Sequence, residues 1–541
     1  MKQILKFAIL LASAFLFTIN KGIAQPNKIK WQTCFDKPDT DIPYDILQTD
    51  DGYLFLWNNY INTKLRITKL SKNGDVISEK EYGGSSDDGG IRMFWTQDGN
   101  ILVIGATASG DGDVIENPYA GTSSYWLVKL DPDGNMLWNK VYGNNHSNII
   151  EDGFITSDDG ALMFGWVTGS GGDVSQYYGA YDMWVVKADK DGNKLWDYTI
   201  GSPNIDFGIS VIETSDKGVL LGGSSMLDPG GNIECEPYTW NNPEAILFKL
   251  DSAGNYQWQS CYGGSGIDWI ETMVELPDGY LLVCSADSDD GDLSGSGYHL
   301  GYNNTGSQTD DIWLVKIDFD GNVIWQKCYG GTGTEFPQTI HYLSNGNIVI
   351  VGRTDSNDGD VVGNHSEENR DIWLFEINSL GELLCQKCLG GEDDDGYFVT
   401  SFRKSDYEFV IAADTRRWNG GDIECDVDGE DTRIWLFEIA DSTMSLAENF
   451  NMLDFQMYPN PSNEAFVVEL PVSFGQIDVY NTLGILLHSQ RVSENKTILD
   501  CRLYPEGMYM VKYIAENGNT TSKKSIDSSL KSFIGVYSGQ S

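Results

Sequence analysis

Histidine and positive charge are what this chain of 541 residues has least of: five histidines, and 36 lysines and arginines against 80 aspartates and glutamates. The formal net charge is −44. Phosphate backbones and anionic lipid both repel such a chain, so nucleic acid and acidic membrane surfaces are excluded as partners. Gly-x-Ser-x-Gly, His-Glu-x-x-His and phosphate-loop patterns are all missing, which removes the chemistries that depend on them. Long apolar runs are missing too. The one near the start, Phe7 to Thr18, is too short to cross a bilayer. With Lys2 and Lys6 before it and Gly22-Ile-Ala24 after it, residues 1–24 read as a secretory signal peptide. No transmembrane segment is expected, and the mature chain reads as a soluble, exported monomer.

Nine cysteines in an exported chain suggest disulfides, but their spacing argues against most pairings. Cys34, Cys261, Cys328 and Cys388 occupy one position in different sequence repeats, a repeat width apart, whereas a disulfide needs Cα atoms within about 7 Å. Most of the cysteines are therefore expected to act as small buried hydrophobes. Cys235 and Cys425, both following Gly-Gly-x-Ile-Glu, are the one pair to check.

What the chain has in abundance is a phrase. Trp126-Leu-Val-Lys-Leu-Asp-Pro-Asp-Gly134-Asn-Met-Leu-Trp138 returns as Trp313 to Trp325, with further copies around Trp184, Ile246 and Trp373. Its glycine falls at Gly74, Gly134, Gly192, Gly254, Gly321 and Gly381, in steps of 60, 58, 62, 67 and 60 residues. Each unit carries two hairpin signals, such as Asn345-Gly346 and Asp320-Gly321, between alternating apolar runs. Four antiparallel strands per unit is the pattern of a propeller blade. The last unit lacks its fourth strand, and Ile29 to Phe35 supplies an unpaired one with the Trp31-to-Cys34 spacing of the others. The expected fold is all-β: a seven-bladed β-propeller over 25–440, closed by the N-terminal strand, which leaves no open edge.

Lys-(Leu/Ile)-Asp-x-x-Gly-Asn-x-x-Trp, followed by Tyr-Gly-Gly-x-x-x-Asp, resembles the SBBP-type propeller repeat of bacterial secreted proteins. The resemblance implies the seven-bladed scaffold and says little about activity. This chain departs from that pattern in its long Asp/Gly loops.

Strand order puts the second-to-third and fourth-to-first connections on one face, and these carry the length variation on which function is expected. Two acidic sets lie there. One recurs at a single repeat position: Asp41, Asp88, Asp152, Asp206, Asp268, Glu335 and Asp395. It reads either as caps on the preceding turn or as a ring of charge at the channel mouth. The other is in Asp-Gly-Asp loops, where Asp287, Asp289, Asp292, Asp355, Asp358 and Asp360 offer oxygen ligands for calcium. The alternative is a solvated acidic turn, since the EF-hand spacing is absent. The same loops carry Tyr238, Trp240, Tyr298, His299, Tyr302 and Trp418. Aromatics beside carboxylates suit sugar recognition, or bury one another within the loops.

After a linker at 441–455 the pattern changes. Tyr458-Pro-Asn-Pro461, Ile477-Asp-Val-Tyr480, Gly507-Met-Tyr-Met-Val511 and Lys523-Lys524 outline a small β-sandwich over 456–526. In this order they resemble the type A sorting domain of the type IX secretion system of Bacteroidota. The resemblance implies recognition by that machinery and a secreted or surface location. Members usually end soon after the lysine pair, whereas here a tail runs over 527–541. The functional expectation is a non-catalytic module binding a polysaccharide or cell-surface ligand. The alternative is a glycoside hydrolase or lyase using carboxylates on the same face.

Overall fold

A computed structural model describes residues 29–35, 41–59, 64–235, 238–239, 242–302, 306–366, 369–416, 420–424 and 433–440 of the repeat region, and the strands that follow. The expected signal peptide, the 441–455 linker, Trp240, Trp418 and Cys425 lie outside the described residues. The chain divides into two compact units, Met1–Met444 and Ser445–Ser541.

The recurring phrase explains the first unit. In its turn, Asp131 Oδ1 accepts the N–H groups of Asp133 at 3.0 Å and Asn135 at 2.7 Å, and Gly134 takes the positive φ the turn needs. The lysine of the phrase reaches back to the first hairpin of its own blade: Lys129 to Asp98 at 2.8 Å and Lys316 to Asp278 at 2.7 Å. The tryptophans are fully buried, and each indole N–H donates to the fourth strand, as Trp313 does to Gln326 at 3.0 Å. The tyrosine that ends the fourth strand crosses to the next blade: Tyr142 donates to the carbonyl of Gly192 at 2.6 Å, and Tyr262 to that of Gly321 at 2.8 Å. One phrase thus encodes turn, hairpin tie, core and blade-to-blade link.

Seven four-stranded sheets result. Blades 1 to 6 span 41–82, 88–142, 148–200, 206–262, 268–329 and 335–389. Blade 7 spans 395–440 and takes Ile29–Phe35 as its outer strand, antiparallel to Arg433–Ala440, with Trp31 opposite Glu438 and Cys34 opposite Trp435. The first strands of neighbouring blades touch one another around the ring, Asp395–Ser405 meeting Asp41–Gln48, so they form the inner wall. In blades 1 to 6 that inner strand carries a β-bulge three residues in, where one extra residue turns its side chain out of the ladder.

Two sequence expectations change. Cys235 pairs with Cys261, Cα–Cα 6.1 Å apart, within one blade. The long loop folds back along its own outer strand, where Glu234 N–H donates to Gln259 Oε1 at 2.8 Å, and this brings a loop cysteine onto a strand cysteine. Cys34 is also disulfide-bonded, while Cys284, Cys328 and Cys388 are free thiols. Second, blade 3 opens on Asn148 where other blades carry an acid, and Asp152 falls one turn of the pleat deeper, in the register of Arg92.

The second unit holds two sheets. Gln456–Tyr458, Ala465–Glu469 and Lys496–Asp500 form one, and Leu486–Val492, Gly475–Asn481, Met508–Ala515 and Thr520–Thr521 form the other. Ser532–Gly535, from the expected tail, lies parallel beside Met508–Ala515 in the second sheet.

Candidate functional site

The repeated acids at the starts of the inner strands act as turn caps. Asp88, Asp206, Asp268, Glu335 and Asp395 each accept the N–H four residues earlier, at 2.6–2.9 Å. A second acidic row, Asp182, Glu244, Asp311 and Asp371, opens the third strands of blades 3 to 6 and is equally buried. Each member meets the cap of the following blade. A Cβ at Gly330 would strike both Asp311 and Glu335, and one at Gly390 both Asp371 and Asp395, so these positions need glycine. Burial, and then the facing carboxyl, raise Asp182, Asp268, Glu335 and Asp395 to about 7. Oδ1 of Asp182, Asp268, Asp311, Asp371 and Asp395 has no hydrogen-bond partner.

The Asp-Gly-Asp loops clamp the turn that leads into their own blade. The Ile267 N–H donates to Asp287 and the Thr334 N–H to Asp355. Gly263 N–H donates to Asp292 at 3.1 Å, Thr332 N–H to Asp358 at 2.7 Å and Gly330 N–H to Asp360 at 3.4 Å, while Asp289 is exposed. These six residues thus fall into two separate loops, and no group of three or more His, Cys, Asp or Glu among the described residues is arranged to hold a metal.

The loop aromatics are also dispersed. Tyr238 and Tyr302 are exposed on blades 4 and 5, Tyr298 donates to the Thr309 carbonyl at 2.5 Å, and His299 Nδ1 sits 3.0 Å from Asp311. That carboxylate raises the His299 pKa. His365 repeats the arrangement on Asp371 at 2.6 Å, so His299 is one of two loop anchors.

The inner strands of blades 4 and 5, with the second strand of blade 3 and the connection that follows it, bring a different set together at the mouth of the channel. Trp166 and Tyr181 from blade 3, Phe207 from blade 4 and Trp269 from blade 5 form a continuous aromatic arc, with ring centroids 4.8, 5.8 and 5.7 Å apart in succession. The Trp269 indole N–H has no partner. The bulges of blades 3 and 5 place Glu151 and Glu271 beside this arc, where Trp166 donates to Glu151 at 3.1 Å and Ser285 to Glu271 at 2.7 Å. Enclosure by the channel wall raises Glu271 to about 8 and Glu151 in the same direction. Asp310, at the same mouth, is raised by burial to about 6. Blades 6 and 7 continue the rim with Phe336, Arg353, Arg370, Tyr397 and Phe398, the last two exposed.

Phe207, Trp269, Glu151, Glu271 and Arg353 were not singled out in the sequence, because each sits at a repeat position that elsewhere holds an ordinary residue. Glu151 and Glu271 stand where blades 2 and 4 have Ile91 and Ile209. That apolar-to-acid exchange at one register was the available signal.

Residues 456–527 match the family model of the secretion system C-terminal sorting domain. This segment is a type IX sorting domain. The protein is thus an exported propeller, secreted or held at the cell surface, whose C-terminal unit engages the secretion machinery. Among the described residues no helix is long and apolar enough to cross a membrane. An uncharacterized WD repeat-containing protein of Acanthamoeba polyphaga mimivirus is 25% identical over 273 residues, covering 43% of this chain. The chain spans only 19% of that relative's length. Among solved structures, an ulvan lyase bound to -[GlcA(1-4)Rha3S]- is similar at TM-score 0.43 and 11% identity, over 74% of this chain and 97% of its own. The hydrazine synthase of Kuenenia stuttgartiensis is similar at TM-score 0.35 and 12% identity, over 60% of this chain and 75% of its own. Scores this low assign no activity.

Proposed function

We propose that the exported propeller is a non-catalytic carbohydrate-binding module whose ligand sits at the axial mouth of the channel. The observation that carries this reading is the arc Trp166–Tyr181–Phe207–Trp269. Apolar sugar faces pack on such rings, while neighbouring carboxyls and an unpaired indole N–H take up hydroxyls. Glu271, Asp310 and the Trp269 N–H supply those groups within one rim. An exported protein meets glycans at the cell surface or in the medium. The exposed loop residues Tyr238 and Tyr302 then serve as outer contacts for a longer chain.

A second reading rests on Glu271 alone. A carboxyl raised to about 8 is protonated at neutral pH and is poised to donate a proton to a glycosidic oxygen. Screening the protein against a polysaccharide panel separates the two. Binding without new reducing or unsaturated ends, lost in Trp269→Ala, supports the module. Product formation lost in Glu271→Gln supports the enzyme, and silence in both assays defeats both.

A further inference from the structure

Arg353 is the unusual cation of this surface. In a chain of net charge −44, most described arginines and lysines near the rim are paired: Arg92 with Asp152 at 2.8 Å, Arg416 with Asp394 at 2.8 Å. Arg353 has no carboxylate within ion-pair distance among the described residues. Its guanidinium lies 4.7 Å from the Phe336 ring centre and 4.2 Å from that of Tyr397, and Nη1 donates to the Tyr397 carbonyl at 2.6 Å. Arg370 lies 5.2 Å from the same Tyr397 ring and holds Asp394 only at 3.8 Å. Two guanidiniums therefore share one aromatic ring, and burial together with the neighbouring Arg370 lowers the affinity of Arg353 for its proton.

The carboxyls around this pair are engaged elsewhere. Glu271 accepts from Ser285, Asp355 from the Thr334 N–H, and Asp414 from the Phe398 N–H at 2.6 Å. Burial holds Glu271 up at about 8 and Asp310 and Asp414 at about 6, so the first of these is neutral at physiological pH. A part-buried guanidinium that lacks a direct ion pair gains from an anion that reaches it. The planar fork that two flanking rings hold in place matches a carboxylate or sulfate in geometry.

We infer that the mouth selects acidic sugars, with Arg353 and Arg370 gripping a carboxylate or sulfate group while Phe207 and Trp269 pack against the sugar rings. This rests on the carbohydrate-binding reading above and adds the ligand's charge. The overall negative charge of the protein repels polyanions at long range, so selection has to come from these two side chains at contact.

The test uses the full chain and short oligosaccharides of matched length: one bearing a uronate, one a sulfate ester, one neutral. Calorimetry at neutral pH should show at least one acidic ligand bound about tenfold or more tightly than the neutral one, as one charge-assisted bidentate contact supplies. The two acidic arms identify which anion is preferred. Arg353→Gln should abolish that preference, Arg353→Lys should restore part of it, and Trp269→Ala should weaken all ligands together. If Arg353→Gln fails to fold, as its thermal melt would show, the wild-type comparison alone decides. Equal binding of neutral and acidic ligands would overturn the inference while sparing the carbohydrate reading. Absence of all binding would overturn both.

Discussion

The indole N–H of Trp435 donates to Oε1 of Gln32 at 2.9 Å across 403 residues of chain. The same oxygen accepts the Glu424 N–H at 3.0 Å, and Gln32 Nε2 reaches the Asp422 carbonyl at 3.4 Å. In blades 2, 3, 5 and 6 the equivalent tryptophan bond is made within one continuous segment, so Gln32 stands in for Asn139, Asp197, Gln326 and Gln386. Removing residues 25–36 should open the outer edge of blade 7, lower the melting temperature and cause aggregation. Gln32→Ala should cost about 1–3 kcal/mol in denaturant titration. An unchanged melt and a monodisperse truncated sample would refute closure by this strand.

Peptide mapping without reduction should recover Cys235 joined to Cys261. The contacts around this pair recur at the chain ends: Glu234 and Asn232 hold Gln259 as Glu424 and Asp422 hold Gln32. Cys261 lies two residues after Gln259 and Cys34 two after Gln32, while Cys235 and Cys425 each follow a glutamate. Since Cys34 is oxidised, sequence equivalence nominates Cys425 as its partner, a residue outside the described ones. Cys261→Ser should destabilise by about 3 kcal/mol, the entropy of a closed loop of this size. Recovery of Cys34 with any other cysteine would overturn the assignment.

Stability should depend on pH through the carboxyl pairs between blades. Asp182, Asp268, Glu335 and Asp395 are raised to about 7, and Asp206 to about 6. Unfolded, they titrate near pH 4. The fold therefore keeps protons that the unfolded chain releases. This contribution is complete below about pH 4 and is lost as pH rises to about 7. His299 and His365, raised by their aspartates, act in the same direction, and His341, lowered by burial to about 3, acts against it. The melting temperature should be higher at pH 5 than at pH 8, and Asp268→Asn should flatten the slope. A melt that rises from pH 5 to pH 8 would contradict the raised titration of these buried carboxyls.

Export should depend on the second unit. A chain ending at Ile439 should fold yet accumulate in the periplasm of its host, because the sorting segment is gone. A chain ending at Ile526 keeps nearly all of the sorting match but loses Ser532–Gly535 from the sheet, so it should reach the medium or surface less efficiently than the full chain. Equal export of the full chain and the shorter one would make that strand incidental.

The repeat made most of the fold legible, because a single phrase sets turn, core and blade contact and says so in every copy. Trp31 and Cys34 revealed ring closure by their spacing alone. The mouth was not legible for the opposite reason. A repeat advertises what its copies share, whereas Glu151, Trp269 and Arg353 stand out only by differing from their counterparts, and Glu151 does so at a bulge that breaks the alternation of the strand. The acidic loops hid their bonds for a related reason: Asp287 and Asp355 look free in sequence, and only the folded turn shows which N–H groups they hold. Asp152 shares the acidic pattern in sequence, yet Asn148 holds the equivalent position at the start of the strand.

Closing the ring with the first strand fixes the order of folding. Ile29 lies opposite Ile439, so the contact that completes the ring joins residues more than four hundred positions apart, and its loop entropy has to be met before any reward is gained. Six blades can assemble from near neighbours as the chain emerges, but blade 7 waits for both ends. Refolding should therefore end in a slow, concentration-independent phase reported by Trp31 and Trp435. Until that step, each molecule carries an unsatisfied strand edge capable of pairing with a second copy.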